Sequence, residues 1–216
     1  MATFKKGILG GFNGKVGNIV GYSRYGKSVM RSLAEHVKNP QTEAQQATRA
    51  RFKELVTIGV AFQPAAEFGL DKVAEENGNT VLNSFFSKNW NNVRFDEEEH
   101  LVVDYGKLML SSGPLTAPSF KTPKTDVDLT VTVEYGTDAD VPRTDGQDDV
   151  YVFVYQPELK QGLLGHGTRQ LGSVSVKVPA LWSGTDVHVY GFAVGDGRYN
   201  ADLHSNTVYL GTSTIE

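Results

Sequence analysis

The sequence predicts an α+β fold, with an N-terminal β-hairpin plus a small helical pack followed by a C-terminal antiparallel β-sandwich. Three observations lead to this prediction. Residues 7–17 hold five glycines and cannot form a stable helix. Apolar residues between positions 42 and 92 recur at helical spacing. After residue 125, apolar and polar residues alternate instead, as they do in half-buried strands.

The 216-residue chain carries a net charge of −4, is 39% hydrophobic and contains no cysteine. These values are typical of a globular protein of one or two domains. The lack of cysteine excludes disulfides, thiolate metal sites and cysteine nucleophiles. No apolar run approaches the ~20 residues of a membrane-spanning helix. The first residues lack the apolar stretch of a secretory signal, so we expect synthesis in the cytoplasm.

The N-terminal region predicts a β-hairpin. Two short extended runs, 18–23 and 27–32, flank a segment that contains Tyr25 and Gly26. A glycine-containing turn between two such runs is the usual signal for a hairpin, so we expect its turn near these two residues.

Residues 42–92 predict a small helical pack. Thr42 and Gln45 have the spacing of a capping box, which marks the start of the first helix. Pro64 is expected to end or kink that helix, with a second helix from about Ala65 to Glu76. The apolar face of a third helix is formed by Val81, Leu82, Phe85, Phe86 and Trp90.

The C-terminal part predicts six or seven short strands, typical of an antiparallel sandwich. Residues 113–125 are rich in proline, serine and threonine and are interpreted as a linker. We therefore predict an N-terminal domain over 1–112 and a sandwich domain over 126–216. The glycine-rich run 162–167 within that domain is expected to form a mobile loop.

One octapeptide, residues 21–28, matches the Walker A pattern of phosphate-binding loops. A Walker A loop follows a buried strand and opens a long helix in an α/β sheet. Here the preceding segment is broken by glycines, and Asn39-Pro40 follows about ten residues after Ser28. We therefore interpret the octapeptide as part of the hairpin, and nucleotide binding is the less favoured alternative.

Other patterns that carry chemistry are weak. Aspartates between Asp138 and Asp149 are interpreted as a solvated loop, with calcium binding as the alternative, because their spacing is not that of an EF-hand. The five histidines form no zinc motif, and no Gly-x-Ser-x-Gly nucleophile elbow is present. We expect no catalytic residue, no bound metal and no cofactor, and hence no enzyme.

Charge is distributed unevenly along the chain. Residues 1–53 carry a net charge of +8, and the remaining residues carry −12. A basic arm of this kind faces an acidic partner, either nucleic acid or the acidic part of a second copy, unless it is a solvated face. The candidate interaction residues are Lys15, Arg24, Tyr25, Lys27, Arg31, Arg49 and Arg51.

Two resemblances add to these predictions. Residues 184–211, with an aromatic-rich strand followed by a Gly/Asp/Asn turn and a final strand, resemble the end of a fibronectin III or immunoglobulin-like module. The glycine-rich hairpin, the run Asn39-Pro40-Gln41-Thr42-Glu43-Ala44-Gln45 and the sandwich together resemble an uncharacterised family of Bacteroidetes genomes. A similar N-terminal head occurs in proteins encoded among phage and prophage structural genes.

The resemblance implies a fold and a genomic neighbourhood, and no catalytic residue. We therefore expect a non-enzymatic structural protein of a phage or prophage virion, which self-assembles through its N-terminal head or binds other virion proteins. The alternative is a bacterial carbohydrate- or protein-binding sandwich module that uses the loops around 138–149 and 195–200.

Overall fold

The protein was analysed as a computed structural model that describes residues 3–4, 11–24, 26–34, 39–126, 128–137, 143–196 and 200–215. It confirms an α+β fold with an N-terminal sheet, a few helices and C-terminal antiparallel sheets. The chain divides into two compact units, residues 1–46 and 47–216. In the described part of the chain, no helix has the length and apolar character needed to cross a bilayer.

The first unit is built around a four-stranded antiparallel sheet in the order β1-β2-β3-β4. Its strands are β1 (Thr3–Phe4), β2 (Phe12–Val16), β3 (Ile19–Arg24) and β4 (Lys27–Ser32). The predicted hairpin is confirmed, because β3 pairs with β4 from Ile19↔Ser32 to Arg24↔Lys27. The predicted turn residue Tyr25 lies outside the described residues, and Gly26 takes the positive φ of 74° that such a turn requires.

Helix α1 (Glu43–Gly69) begins where the capping pattern predicts. The backbone N–H of Gln45 donates to Thr42 Oγ1 at 3.4 Å. Of the two alternatives predicted for Pro64, an end of the helix is wrong, because α1 continues to Gly69, and a kink stays a prediction. Proline has no backbone N–H, so the carbonyl of Val60, four residues earlier, has no helical donor. The side chains of Val60 and Pro64 are both exposed, which places this carbonyl on the solvent side of the helix.

Two short helices complete the helical part. Helix α2 (Asp71–Glu76) is shorter than the predicted second helix, because α1 extends to Gly69. Helix α3 (Val81–Asn89) is capped by Thr80, whose hydroxyl accepts from the N–H of Asn83 at 3.2 Å. A two-stranded hairpin follows, formed by β5 (Val93–Phe95) and β6 (Leu101–Val103).

The irregular segment after β6 is fixed by side chains from distant parts of the chain. Asn89 holds the backbone of Met109, accepting from its N–H at 2.8 Å and donating to its carbonyl at 2.9 Å. Within the predicted linker 113–125, Leu115 bridges to Ser205 and Phe120 bridges to Tyr135. Independent folding of the two sides of this segment stays a prediction.

Seven strands form two sheets in the C-terminal part. A three-stranded sheet has the order β11-β8-β7, and a four-stranded sheet has the order β10-β9-β12-β13. The strands are β7 (Lys124–Asp126), β8 (Thr130–Glu134), β9 (Asp149–Gln156), β10 (Gln161–Thr168), β11 (Ser173–Lys177), β12 (Asp186–Val194) and β13 (Val208–Thr214).

The prediction of a mobile loop at 162–167 is wrong, because these residues lie within β10. The glycines there serve close packing. A Cβ atom on Gly162 would lie 2.1 Å from the ring of Phe153, and one on Gly165 would lie 2.5 Å from Val176. Glycine is therefore required where other side chains cross the strand.

The two C-terminal sheets pack against each other through valine-rich faces. Buried valines of β8 and β11, such as Val131 and Val176, belong to the same apolar cluster as Val152 and Val154 of β9. Trp182, almost fully buried, is part of this cluster.

A second apolar core joins the helices to the outer face of the four-stranded sheet. Phe62 of α1 is fully buried and contacts four aromatic rings. These rings belong to Phe85 of α3 and to Phe153, Tyr155 and Tyr190 of the sheet. Residues on both sides of 113–125 therefore share one core.

Candidate interaction surface

The sequence-predicted interaction residues fall into two groups. Lys15 lies on β2, Arg24 on β3, and Lys27 and Arg31 on β4. Arg49 and Arg51 lie on α1, within the second unit. Tyr25 lies outside the described residues.

The strand register brings the four cations of the N-terminal sheet onto one face. Directly opposed residues of antiparallel strands share a face, and residues two apart along a strand share a face. The opposed residues across β2, β3 and β4 are Lys15, Val20 and Arg31, and across β3 and β4 they are Tyr22 with Val29 and Arg24 with Lys27. We call this set the basic face.

The opposite side of the same sheet carries Phe12, Val16, Ile19 and Met30, together with three serines, Ser23, Ser28 and Ser32, and no charged residue. We call it the apolar face after its four large side chains. The exposed fractions of Val16, Ile19 and Met30 are 47%, 46% and 68%. The ring of Phe12 lies over Gly21, where a Cβ atom would approach it to 2.7 Å. The sheet is thus strongly two-sided, with cations on one face and exposed apolar side chains on the other.

Arg51 has a structural environment that differs from those of the sheet cations. Its guanidinium lies 4.2 Å from the centre of the Trp90 ring and donates to the Trp90 carbonyl oxygen. These contacts tie α1 to the segment that follows α3. Arg49, two positions earlier, is exposed.

The Walker-like octapeptide spans the end of β3, the turn and the start of β4. Its Lys27 and Ser28 lie on a strand, whereas the lysine and serine of a phosphate-binding loop lie at the start of a helix. Lys27 lies on the basic face, and Ser28 faces the opposite side.

Two residues of the predicted Asp-rich loop, Asp138 and Asp140, lie outside the described residues. Asp148 is fully buried and forms an ion pair with Arg169, whose Nε lies 3.2 Å from its Oδ2. Asn200 donates to the other carboxylate oxygen of Asp148 at 2.6 Å. Asp148 and Asn200 belong to the loops 138–149 and 195–200, which the binding-module alternative uses. Both side chains are buried and bonded to each other, so they stabilise the fold at this end of the sheets.

Three half-buried rings, those of Tyr105, His188 and Tyr209, lie in contact near the beginning of β12. The rings of Tyr105 and His188 stack with their centres 4.3 Å apart, and His188 Nδ1 lies 2.8 Å from the hydroxyl of Tyr209. Burial lowers the pKa of His188, an effect that the nearby Asp186 carboxylate opposes. The neutral ring therefore predominates at physiological pH.

A second histidine, His204, is almost fully buried, and its Nε2 lies 3.2 Å from Asp71 Oδ1. Burial lowers its pKa as well, while Asp71 raises it. Across the described ranges, no group of three or more His, Cys, Asp or Glu side chains is placed to hold a metal ion.

The two-sided character of the N-terminal sheet could have been recognised in the sequence. Along β4, Lys27, Val29 and Arg31 recur at a period of two and so share one face, as do Val20, Tyr22 and Arg24 along β3. The register of the hairpin was the additional information needed to place both strands' cations on the same side.

Comparison with known proteins identifies one family. A family model described as a family of unknown function, DUF6266, matches residues 11–211. The match includes the described N-terminal strands β2, β3 and β4, the helices and most of the two C-terminal sheets. No protein with curated information matches the chain.

Proposed function

This chain belongs to the DUF6266 family of unknown function, and we propose that it is a non-enzymatic structural protein of a phage or prophage virion. It self-assembles through its N-terminal sheet. On this proposal the chain is made in the bacterial cytoplasm, takes its place in the virion and contacts further copies or other virion proteins. The phage and Bacteroidetes association rests on the sequence resemblance of the glycine-rich head and the Asn39–Gln45 motif.

The apolar face of the N-terminal sheet carries this proposal. Val16, Ile19 and Met30 stand close together on one side of a small sheet and are each about half exposed or more. Contiguous exposed apolar side chains on a soluble protein commonly mark a contact with another molecule. Burial of this face between copies would stabilise the contact by the hydrophobic effect.

The edge of the sheet offers a second mode of contact. β4 is the last strand in the order and pairs only with β3 within the described residues. Its outer edge presents backbone N–H and C=O groups that can extend the sheet onto a neighbouring strand. A contact made through this edge is directional and suits a repeated assembly.

The charge distribution favours contact between unlike parts of neighbouring copies. The N-terminal quarter of the chain carries +8 and the remainder −12. A head-to-tail contact of this kind is heterologous, and it closes into rings or grows into lattices. Its electrostatic part weakens as salt screens the charges.

For the C-terminal sheets we propose an immunoglobulin or fibronectin III-like sandwich. The strand order supports it: the first, second and fifth strands of this region form one sheet, and the other four form the second. In constant-type immunoglobulin domains the fourth strand pairs with the first sheet. Here β10 pairs with β9 instead, which favours the fibronectin III-like form.

A carbohydrate- or protein-binding module is the second candidate function. It is favoured by the half-buried rings of Tyr105, His188 and Tyr209, which lie together at the sheet. Aromatic rings of this kind supply apolar area with a polar atom at one end. Asp148 and Asn200 are buried, so their side chains do not support the prediction that these two loops bind a carbohydrate or a protein.

Self-assembly is tested by multi-angle light scattering of the full chain at tens of micromolar, at low and high salt. We expect a mass well above the 23.6 kDa of one chain, decreasing as salt is raised. Met30→Asp places a charge on the apolar face and should give a monomer, whereas the control Leu181→Asp changes an equally exposed residue of the second unit. A monomeric wild type at low salt would contradict self-assembly and favour the binding module.

The virion role has its own test, which is the identity of the neighbouring genes. Neighbours that encode capsid, portal and tail proteins are expected. Neighbours that encode surface or transport proteins, with no phage genes nearby, would count against a virion component.

A further inference from the structure

The cations of the basic face lie in two rows across the sheet. One row contains Lys15 and Arg31, on either side of Val20. The other contains Arg24 and Lys27 at the end of the hairpin. Val20 and Arg24 are four residues apart on β3, so the two rows are separated by about 13 Å along the strands. Both rows point to the same side, opposite to the apolar face.

The strands that carry the basic face contribute no carboxylate of their own. Residues 11–34 contain no Asp or Glu. Lys15, Lys27 and Arg31 are exposed, and none forms an ion pair with another residue of the described ranges. Like charges placed directly opposite each other, such as Arg24 and Lys27, destabilise a sheet. A polyanion lying across the face would offset that repulsion.

An aromatic ring lies between the two rows. Tyr22, on the basic face, is 38% exposed and is directly opposed by Val29 of β4. Exposed aromatic rings on a cationic sheet are stacking platforms for the bases of single-stranded nucleic acid. An acidic protein surface would match the cations equally well and could also contact the ring, since tyrosine is common at protein interfaces, so it is the competing partner in the test below.

We propose that the basic face binds single-stranded nucleic acid, with the phosphates along the two cation rows and a base stacked on Tyr22. This inference rests on the proposed virion role, to which it adds a nucleic-acid partner. It assigns opposite faces of one sheet to different partners: the apolar face to a second copy and the basic face to nucleic acid. Binding requires no sequence preference, because phosphate contacts and stacking accept every base.

The test is fluorescence anisotropy of a labelled oligo(dT) titrated with the full chain at several salt concentrations. We expect the logarithm of affinity to fall with the logarithm of salt, with a slope of about −2 to −3 for three to four phosphate contacts. Lys27→Gln/Arg31→Gln should lower affinity at least about tenfold and reduce that slope by about 1.4. The matched control Arg94→Gln/Lys177→Gln removes two exposed cations of the second unit and should bind as the wild type does.

Stacking is tested at Tyr22. Tyr22→Val keeps a good strand former and should weaken binding about tenfold, whereas Tyr22→Phe keeps the ring and should bind normally. Circular dichroism of each variant checks that the fold is kept. Equal weakening by the Val and Phe variants, or none by either, would overturn the stacking arrangement. Equal competition by poly-glutamate of matched charge would overturn nucleic acid as the partner.

The two proposals can fail separately. Met30→Asp should lose assembly but keep oligo(dT) binding, whereas Lys27→Gln/Arg31→Gln should lose binding but keep the contact made by the apolar face, weakened only in its electrostatic part. If the double variant loses assembly and its affinity for oligo(dT) is unchanged, the basic face is a contact between copies and this inference is wrong. If the wild type is monomeric and still binds oligo(dT) through this face, self-assembly is wrong and the nucleic-acid site stands.

Discussion

Lys27 lies directly across from Arg24 at the end of the β3–β4 hairpin, so two cations share one face of the sheet next to its turn. Like charges directly opposite each other are unfavourable for a strand pair. The pair belongs to a face on which Lys15 and Arg31 are also exposed, so positive charge is concentrated on one side of the sheet. The proposed nucleic-acid contact depends on this concentration of charge.

Replacement of Lys27 by Glu is therefore expected to stabilise the hairpin. An opposite-charge pair with Arg24 should slow amide hydrogen exchange in β3 and β4, since cross-strand attraction replaces repulsion. The control Lys27→Gln should give an intermediate effect. Faster exchange in Lys27→Glu than in the wild type would show that the two side chains do not interact across the strands.

Phe62→Ala should be the most damaging single substitution in the helical part. Phe62 is fully buried among four aromatic rings from α3 and the sheet, so its removal leaves a cavity that these elements share. The expected loss is about 3–5 kcal/mol of unfolding free energy, measured by urea denaturation. Phe95→Ala, at a 37% exposed position, should cost less than about 1 kcal/mol.

Variants of the buried ion pair between Asp148 and Arg169 can distinguish the cost of an unpaired charge from the cost of lost packing. Arg169→Met leaves a buried carboxylate without its cation and should cost about 3–5 kcal/mol. Asp148→Asn removes that charge while keeping an oxygen that accepts hydrogen bonds. The double variant should therefore be more stable than Arg169→Met alone, as measured by chemical denaturation. Additive losses from the two substitutions would contradict this.

Stability should fall in mild acid, with His188 contributing. Burial holds the pKa of His188 in the folded protein below the ordinary value near 6.5, so the unfolded chain binds protons more readily. At neutral pH His188 is neutral in both states and has little effect on the free energy of unfolding. As pH falls below about 6.5, its protonation in the unfolded chain lowers that free energy. Asp186 opposes the shift, and His204, whose pKa is also lowered by burial, adds a similar effect.

His188→Phe keeps a ring against Tyr105 and should flatten the pH dependence of urea unfolding between neutral pH and pH 5. An unaltered profile in His188→Phe would assign the acid sensitivity to other groups.

The domain boundary predicted at 113–125 is tested with a chain that begins at residue 124. This fragment would expose a row of aromatic side chains that α1 and its neighbours cover: Tyr151, Phe153, Tyr155, Tyr190 and Phe192. We expect it to melt at a much lower temperature than a chain of residues 47–216, as followed by circular dichroism. Equal melting temperatures would support the predicted separate sandwich domain.

Local patterns in the sequence predicted local structure well. The hairpin around Gly26 and the cap at Thr42 depend on residues close together in the chain, and both are present. Two local preferences did not decide the structure. Pro64 does not end α1, because the carbonyl that loses its N–H partner lies on the solvent side of the helix. Gly162 lies in a strand and not in a mobile loop, because the ring of Phe153 packs against it.

The core between the helices and the sheet could not be predicted from the sequence. Helical spacing identified Leu55, Ile58 and Phe62 as apolar, but periodicity says nothing about what such a face packs against. Likewise, the sequence does not distinguish Arg51 from the exposed Arg49. In the structure, the Arg51 guanidinium lies against the ring of Trp90, which is 39 positions away in the sequence. The charge asymmetry of the chain was visible in the sequence, and its placement on one face required the strand register.

The contact between Phe62 and Tyr190 joins residues about 130 positions apart, with consequences for how the chain is made. At about 5–20 residues per second, α1 leaves the ribosome roughly 6–26 s before the strand that covers it. Throughout that interval the face containing Leu55, Ile58 and Phe62 lacks its β12 partner. Residues 47–216 therefore complete their fold only after β12 has been synthesised, and nascent chains that stop before β12 will be substrates for chaperones and proteases.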